Sequence, residues 1–350
     1  MATLITPIPS LMFPWELDTL RISAAEDTAV RLELGNSDIF AATLTPTSAG
    51  YITIDTLRET IQDALSAPCS EATTLYIYLD ETLAAATSVV YCRTIGSVPA
   101  LTFAAKSFLT MASGATKLVR EDSTEVLSWI ASGSSEAGEE SVSVEAIWFD
   151  SSTAAVKTSE QTIQCTGEGS IDSADVSPSK LSAPDTTGTW CLSSYTVTLG
   201  RRSASYAIPN NGRTNADTLA VTFYNAFGQR DTFLFLGQTE EELKPTYSGA
   251  TFGGNYRNYR IEAQPSFTAA TGALTEGMRR LFADLLTAQD VWRTADGVQL
   301  SLTDSSFKPT TSWGESASGT ATFRENLSGQ RLEPVLSANT FDSTYDQTYE

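Results

Sequence analysis

"TLAVTFYNAFGQRDTFLFLG", residues 218–237, decides how this chain is read. Leu219, Val221 and Phe223 alternate with their neighbours at the period of two that marks a strand with one buried face, and "DTFLFLG" resumes strand character further on. Between them lies a polar knot, Asn225 to Asp231, in which Asn225, Gly228 and Asp231 are turn formers. A connection of seven residues between strands 218–224 and 232–236 is longer than a tight hairpin needs. Phe227 and Arg230 sit in that connection, where a turn requires neither, so both are expected to touch a neighbouring subunit or domain.

The same alternation recurs along the chain. Val30, Leu32 and Leu34 oppose Arg31 and Glu33, and with "GNSD" as the turn, residues 30–45 read as a hairpin. After "YITID", the residues Ile54, Leu57, Ile61 and Leu65 fall at helical spacing, with Asp55 or Thr56 placed to cap the helix. "TLYIYLD" at 74–80 is a strand that pairs with "ATSVVYCRTIG". In the middle, "ASGSSEAGEE" reads as a loop before "SVSVEAIWFD", which alternates through Val142, Val144, Ala146 and Trp148 in the manner of a β-sandwich module. Residues 167–190 are rich in Gly, Ser, Asp and Pro, hence either a long surface loop or a linker with a boundary near its end. Leu274, Met278, Leu281, Phe282, Leu285 and Leu286 define the strongest helix, 274–289. "VWRTADGVQLSLTD" then reads as a hairpin turning at Asp296-Gly297. The expected fold is mainly β, with β-sandwich-like modules and two amphipathic helices, α+β overall. Its expected domains are an α+β unit over 1–105, a sandwich-like unit over 106–200 and a β-rich unit over 201–350.

Composition narrows the function. The 350 residues carry 22 Lys and Arg against 42 Asp and Glu, a net charge of −20, which repels a phosphate backbone and argues against nucleic-acid binding. The basic spots Arg201-Arg202, Arg257 to Arg260 and Arg279-Arg280 are too short to be tracts. No apolar run is long enough for a membrane span, and the proline-rich start lacks the basic region of a signal peptide. Cys69, Cys92, Cys165 and Cys191 show no CxxC spacing, so buried thiols are expected, with a Cys165–Cys191 bridge as the alternative. Histidine is absent, which removes the commonest general base and metal ligand together.

No constellation singles out a reaction. "SPSK" at 177–180 matches the spacing of a lysine-activated serine, but Pro178 argues against the helix that chemistry needs. No stretch fits a calcium loop, although "SIDSAD" and "TDSS" offer oxygen ligands, and no cofactor or metal site is expected. "GATFGGNYRNYR" at 249–260 lacks the ending of a nucleotide loop. Its Tyr256, Arg257 and Tyr259 suit either a protein interface, where Tyr and Arg are enriched, or a sheet edge.

The strings "FLTMASGATKLVREDSTEVLSWI", "FYNAFGQRDTFLFLG" and "LTEGMRRLFADLLTAQDVW" followed by "LTDSSFK" resemble a family of uncharacterised proteins in phages and prophages of Bacteroidetes-type bacteria, over residues 20–335. The resemblance implies a tail or baseplate role and carries no catalytic or binding residues. The expectation is therefore a non-enzymatic structural protein of the virion, made in the host cytoplasm. It would assemble as a homo-oligomer with other virion subunits, without membrane insertion. The alternatives are an adhesin that binds host surface glycan and, third, a tail-associated hydrolase.

Overall fold

The structure, a computed structural model, describes residues 2–94, 96–131, 141–165, 170–185, 188–209, 218–252, 255–309 and 316–326. The chain is mainly β and α+β overall, as its alternation implies. Among the described residues there are three α-helices rather than two. They are α1 (Leu57–Ala64), α2 (Ala100–Lys106) and α3 (Glu276–Leu286). None is long and apolar enough to cross a membrane.

In the N-terminal third a five-stranded sheet runs in the order Leu11–Met12, Thr82–Val89, Thr73–Leu79, Thr28–Leu34, Ser37–Leu44. The expected hairpin is its edge, with Val30 opposite Ala42. Helix α1 lays Leu57 and Ile61 on a core with Leu32, Leu75 and Ile77. Neither expected cap operates. Thr56 takes a left-handed conformation and its hydroxyl donates to the Asp55 carbonyl, while the Asp55 carboxylate accepts from Thr19.

The middle third is an unequal sandwich. A five-stranded sheet, ordered Val156–Gln164, Ser141–Asp150, Trp190–Leu199, Arg202–Ala207, Thr116–Leu118, faces the pair Val126–Ile130 and Ile171–Asp175. Val142, Val144 and Ala146 meet Leu127, Trp129 and Ala174 between them. The loop-or-linker reading of 167–190 is corrected here, because Ile171–Asp175 is a strand registered against Val126–Ile130. Ile171, Ala174 and Val176 supply the buried apolar surface that pins it, despite polar flanks. Cys165 and Cys191 are not joined in a disulfide, so the alternative bridge is absent.

The C-terminal third is a seven-stranded sheet, ordered Arg230–Phe235, Leu219–Tyr224, Val291–Arg293, Gln299–Lys308, Ser318–Glu325, Asn255–Ala270, Thr239–Phe252. Thr275 caps α3 by accepting from the Met278 amide, and the helix buries Met278, Leu281, Phe282 and Leu285 against Phe233, Phe235 and Phe323. The connection in the opening stretch is shorter than expected, Asn225 to Gln229. Arg230 and Asp231 already belong to the ladder, opposite Tyr224 and Phe223. The Asp296-Gly297 hairpin forms as read, with Gly297 at φ +70.

The last two strands of that sheet outrun it. Their mutual ladder extends from Thr239 opposite Ala269 to Phe252 opposite Asn255. Only Ser266 to Ala270 also pair with Ser318–Glu325, so among the described residues the ribbon outside Ser266 has no third strand.

A fourth buried cluster joins the thirds. Phe13, Val90, Cys92 and Ala100 come from the first, Leu109, Ile130 and Ile171 from the second, and Phe227 from the third.

Candidate functional site: a three-way junction and an adjoining cleft

The polar knot of the opening stretch is the centre of that junction. Asn225 is 2% exposed, and its Oδ1 accepts from the Phe227 and Gln229 amides, which closes the turn. Its Nδ2 donates to the Leu109 carbonyl of the middle third at 2.8 Å. Gln229 donates to the Cys69 carbonyl and the Cys69 amide to the Gly228 carbonyl, which fastens the turn to the N-terminal third. Gly228 is required twice over. It sits at φ +70, and a Cβ there would lie 2.9 Å from Tyr91 and 3.0 Å from Cys69. Gly228→Ala is expected to cost about 2 kcal/mol, read as a lower urea midpoint. An unchanged midpoint would show that the turn relaxes freely.

Two ion-pair systems hold the junction. In the first, Lys117 Nζ donates to Glu125 Oε2 at 2.6 Å and to Asp231 Oδ1 at 2.5 Å, with all three residues buried. Asp231 Oδ2 also accepts from the Thr110 hydroxyl at 2.7 Å. Burial acts to lower the Lys117 pKa, but the Asp231 and Glu125 carboxylates outweigh it and hold the ammonium above its usual range. Burial pushes Glu125 from an ordinary 4.5 up to about 7, because Lys117 offsets only part of the desolvation. In the second system Asp284 on α3 accepts from Arg93 at 2.5 Å and from the Ala226 amide at 2.9 Å. Burial raises its carboxyl to about 6, the Ala226 and Arg93 contacts notwithstanding. Burial also pushes the Cys92 thiol to about 11, so this thiol stays protonated at neutral pH.

Phe227 is 4% exposed and packs inside the chain. Its ring centroid lies 5.0 Å from that of Phe103 and 5.9 Å from that of Phe13, both in the N-terminal third. It is therefore spent on a contact between parts of this chain and offers nothing to a neighbouring subunit. Arg230, by contrast, is exposed. Tyr256, Arg257 and Tyr259 lie on the strand Asn255–Ala270, in the outer ribbon, and their side chains lie outside the described residues. The structure does not bring them to Phe227 and Arg230 as one site.

The SPSK stretch is not a catalytic pair. Residues Pro178–Lys180 form a single 3-10 turn, the Ser177 hydroxyl donates to Asp175, and Lys180 also faces Asp175, at 3.9 Å. Arg202, one of the basic spots, is buried and donates to the Ala104 and Ile130 carbonyls. Arg279 and Arg280 pair with Glu276. Among the described residues no three metal-ligating side chains converge.

Beside the junction lies a cleft of about 410 Å³, between residues 124–126 of the middle third and the outer face of the C-terminal sheet. Register builds that face. Val221, Phe223, Phe233 and Val291 belong to the core with α3, which turns their in-strand neighbours Thr222, Tyr224, Thr232 and Trp292 to the other side. Thr232 and Trp292 flank Thr222 on its two neighbouring strands, and Arg230 lies opposite Tyr224. Tyr224 and Trp292 meet at 5.2 Å with their planes 85° apart, which makes an aromatic corner. Thr222 and Thr294 share a hydroxyl hydrogen bond at 2.9 Å.

Lys117, Glu125, Arg93, Asp284 and Trp292 were not singled out from sequence. The legible signal was at Asp284, a carboxylate one residue from Leu285 inside the apolar stripe of a helix that otherwise buries only hydrophobic side chains and Gly277.

No family model matches the chain, and no curated protein matches it. Among solved structures, a chain of the virion of a native gene transfer agent particle is 13% identical, over 32% of this chain and 93% of that one, with a TM-score of 0.23. The plexin A4 extracellular region is 10% identical over 93% of this chain and 39% of that one, with a TM-score of 0.18. Neither superposition is close enough to establish a shared fold.

Proposed function

We propose that this chain is a non-enzymatic structural component of a virion, built into a phage tail at its tip or baseplate. The outer ribbon of Thr239–Phe252 and Asn255–Ala270 serves it as an assembly arm. One observation carries this reading: among the described residues, the ribbon outside Ser266 is two-stranded and no further strand pairs with either of its edges. A lone two-stranded ribbon is marginally stable in water, and an unpaired edge is a template for a strand from another chain. Docking between subunits satisfies both demands by strand addition. Other virion subunits, further copies of this chain among them, are the partners, joined after synthesis in the host cytoplasm. The junction supports the same role, since a subunit that bears load needs its parts clamped to one another. Here the clamps are buried ion pairs and a shared aromatic cluster.

Particles purified from a producing host test the proposal. The chain is expected in the particle fraction by mass spectrometry. A variant in which residues 243–265 are replaced by a short glycine turn is expected to fold but to drop out of the particles. Glu242 and Ser266 face each other in the ladder, so the turn closes without strain. Abundance in the lysate with absence from particles would overturn the assignment. Full incorporation of the shortened variant would overturn the role of the arm.

A further inference from the structure

We propose that the cleft beside the junction is a saccharide-binding site for a mono- or disaccharide unit without net charge. Its volume of about 410 Å³ falls within the range of small-molecule sites, roughly 300–1,000 Å³. A sugar ring presents two chemistries at once, a face of polarised C–H bonds and a rim of hydroxyl donors and acceptors, and the cleft offers a counterpart to each. The aromatic corner of Tyr224 and Trp292, both half-buried, supplies the electron-rich faces on which such C–H bonds stack. Val126, 42% exposed on the opposite wall, adds apolar surface. Arg230 supplies the rim: its side chain is exposed and, among the described residues, its guanidinium makes no ion pair. The planar fork of donors there matches two adjacent hydroxyl oxygens. Thr124 and Thr294, both exposed, add hydroxyls that donate or accept as needed. A polyanion fits poorly, because Arg293 in the cleft lining is already paired with Asp296 and Glu325 and the chain carries a net charge of −20.

The free, full-length protein suffices for the test, so its outcome is independent of whether the chain is found in particles. Saturation-transfer NMR is recorded with methyl glycosides of glucose, galactose, mannose and N-acetylglucosamine and with the disaccharides lactose and chitobiose. Each is titrated to about 10 mM, since one sugar unit with these contacts binds in the millimolar range. At least one probe is expected to receive saturation. Trp292→Ala should weaken its binding at least about tenfold and Arg230→Ala by a similar factor, whereas Trp292→Phe retains part of it. Arg230 is exposed on a strand whose ladder is backbone-made, so its variant folds even if Trp292→Ala does not. Absence of saturation transfer to every probe would overturn the proposal. So would binding unchanged in both alanine variants, or binding of an extended peptide at the cleft in place of every sugar.

Discussion

Between about pH 4.5 and pH 7.5 the folded protein is expected to lose about 5 kcal/mol of stability, the opposite of the usual gain as carboxylates ionise. The cause is the junction. Glu125 titrates at about 7 instead of 4.5, and Asp284 at about 6 instead of 3.8, each raised first of all by burial. A carboxyl whose folded value is raised binds its proton more tightly in the folded state. Over the window between the two values the folded chain therefore holds more protons, and stability falls as pH rises. At about 1.4 kcal/mol per pH unit, each group contributes about 3 kcal/mol, and the two are close enough to couple. Lys117 stays charged throughout, because its own value is held high. Below this window the sign reverses. Asp150, lowered to about 2 by the Thr153 and Ser152 hydroxyls, and Asp296, lowered by Arg293, contribute stability that is present above 3.8 and is lost as pH falls. The stability maximum is thus expected near pH 4–5. Urea midpoints across the range check this, and Glu125→Gln should flatten the slope. A midpoint that rises from pH 5 to 7.5 would refute it.

Lys117→Met is expected to be the most damaging single substitution, costing about 3–5 kcal/mol at pH 7.5. It leaves Glu125 and Asp231 buried together with their shared cation gone. Thr110 and Asn225 still donate to Asp231, but neutral donors do not cancel a second negative charge in a dry site. Because Glu125 can take up a proton, the same variant should lose clearly less at pH 5. The double variant Lys117→Met, Glu125→Gln should recover part of the loss at pH 7.5. Equal losses for single and double variants would show that the two carboxylates do not interact. The measurement is a denaturation midpoint at two pH values.

What could be read from the residues was set by periodicity. Alternation at Val142–Trp148 marked a strand with one buried face and the Met278–Leu286 stripe marked the long helix, because burial of one face leaves a local signature. Alternation at Leu219–Phe223 also marked a strand, but there both faces are buried, Ala220 and Thr222 as well as Val221 and Phe223. The strand Ile171–Asp175 escaped, since Ile171 is the one strongly apolar residue among its five and its partner lies far back in the chain. Helix α2 is too short for a period to show, and its start is fastened from afar by Glu16, which accepts from the Ala100 amide. The junction was the least legible part. Asp231 looks like any turn residue, and its meaning depends on Lys117, which is 114 positions away. Phe227 did stand out as surplus to a turn, yet only the fold shows that its neighbours are Phe13 and Phe103. The cleft is likewise a product of register, in which Thr222, Trp292 and Thr232 become neighbours through two strand pairings.

The junction also orders the folding of the chain in time. Arg93 and Asp284 are separated by 191 positions, so on the ribosome the arginine waits for its partner for roughly 10–40 s at about 5–20 residues per second. Until residues 227–231 are made, Phe13, Phe103 and Leu109 have no Phe227 to cover them, and Lys117 has only Glu125. The nascent N-terminal two thirds therefore carry an uncovered aromatic patch that closes when the opening stretch and α3 arrive. Exposed apolar surface of this kind favours aggregation, so the uncovered patch is the feature that the late arrival of the opening stretch and α3 removes.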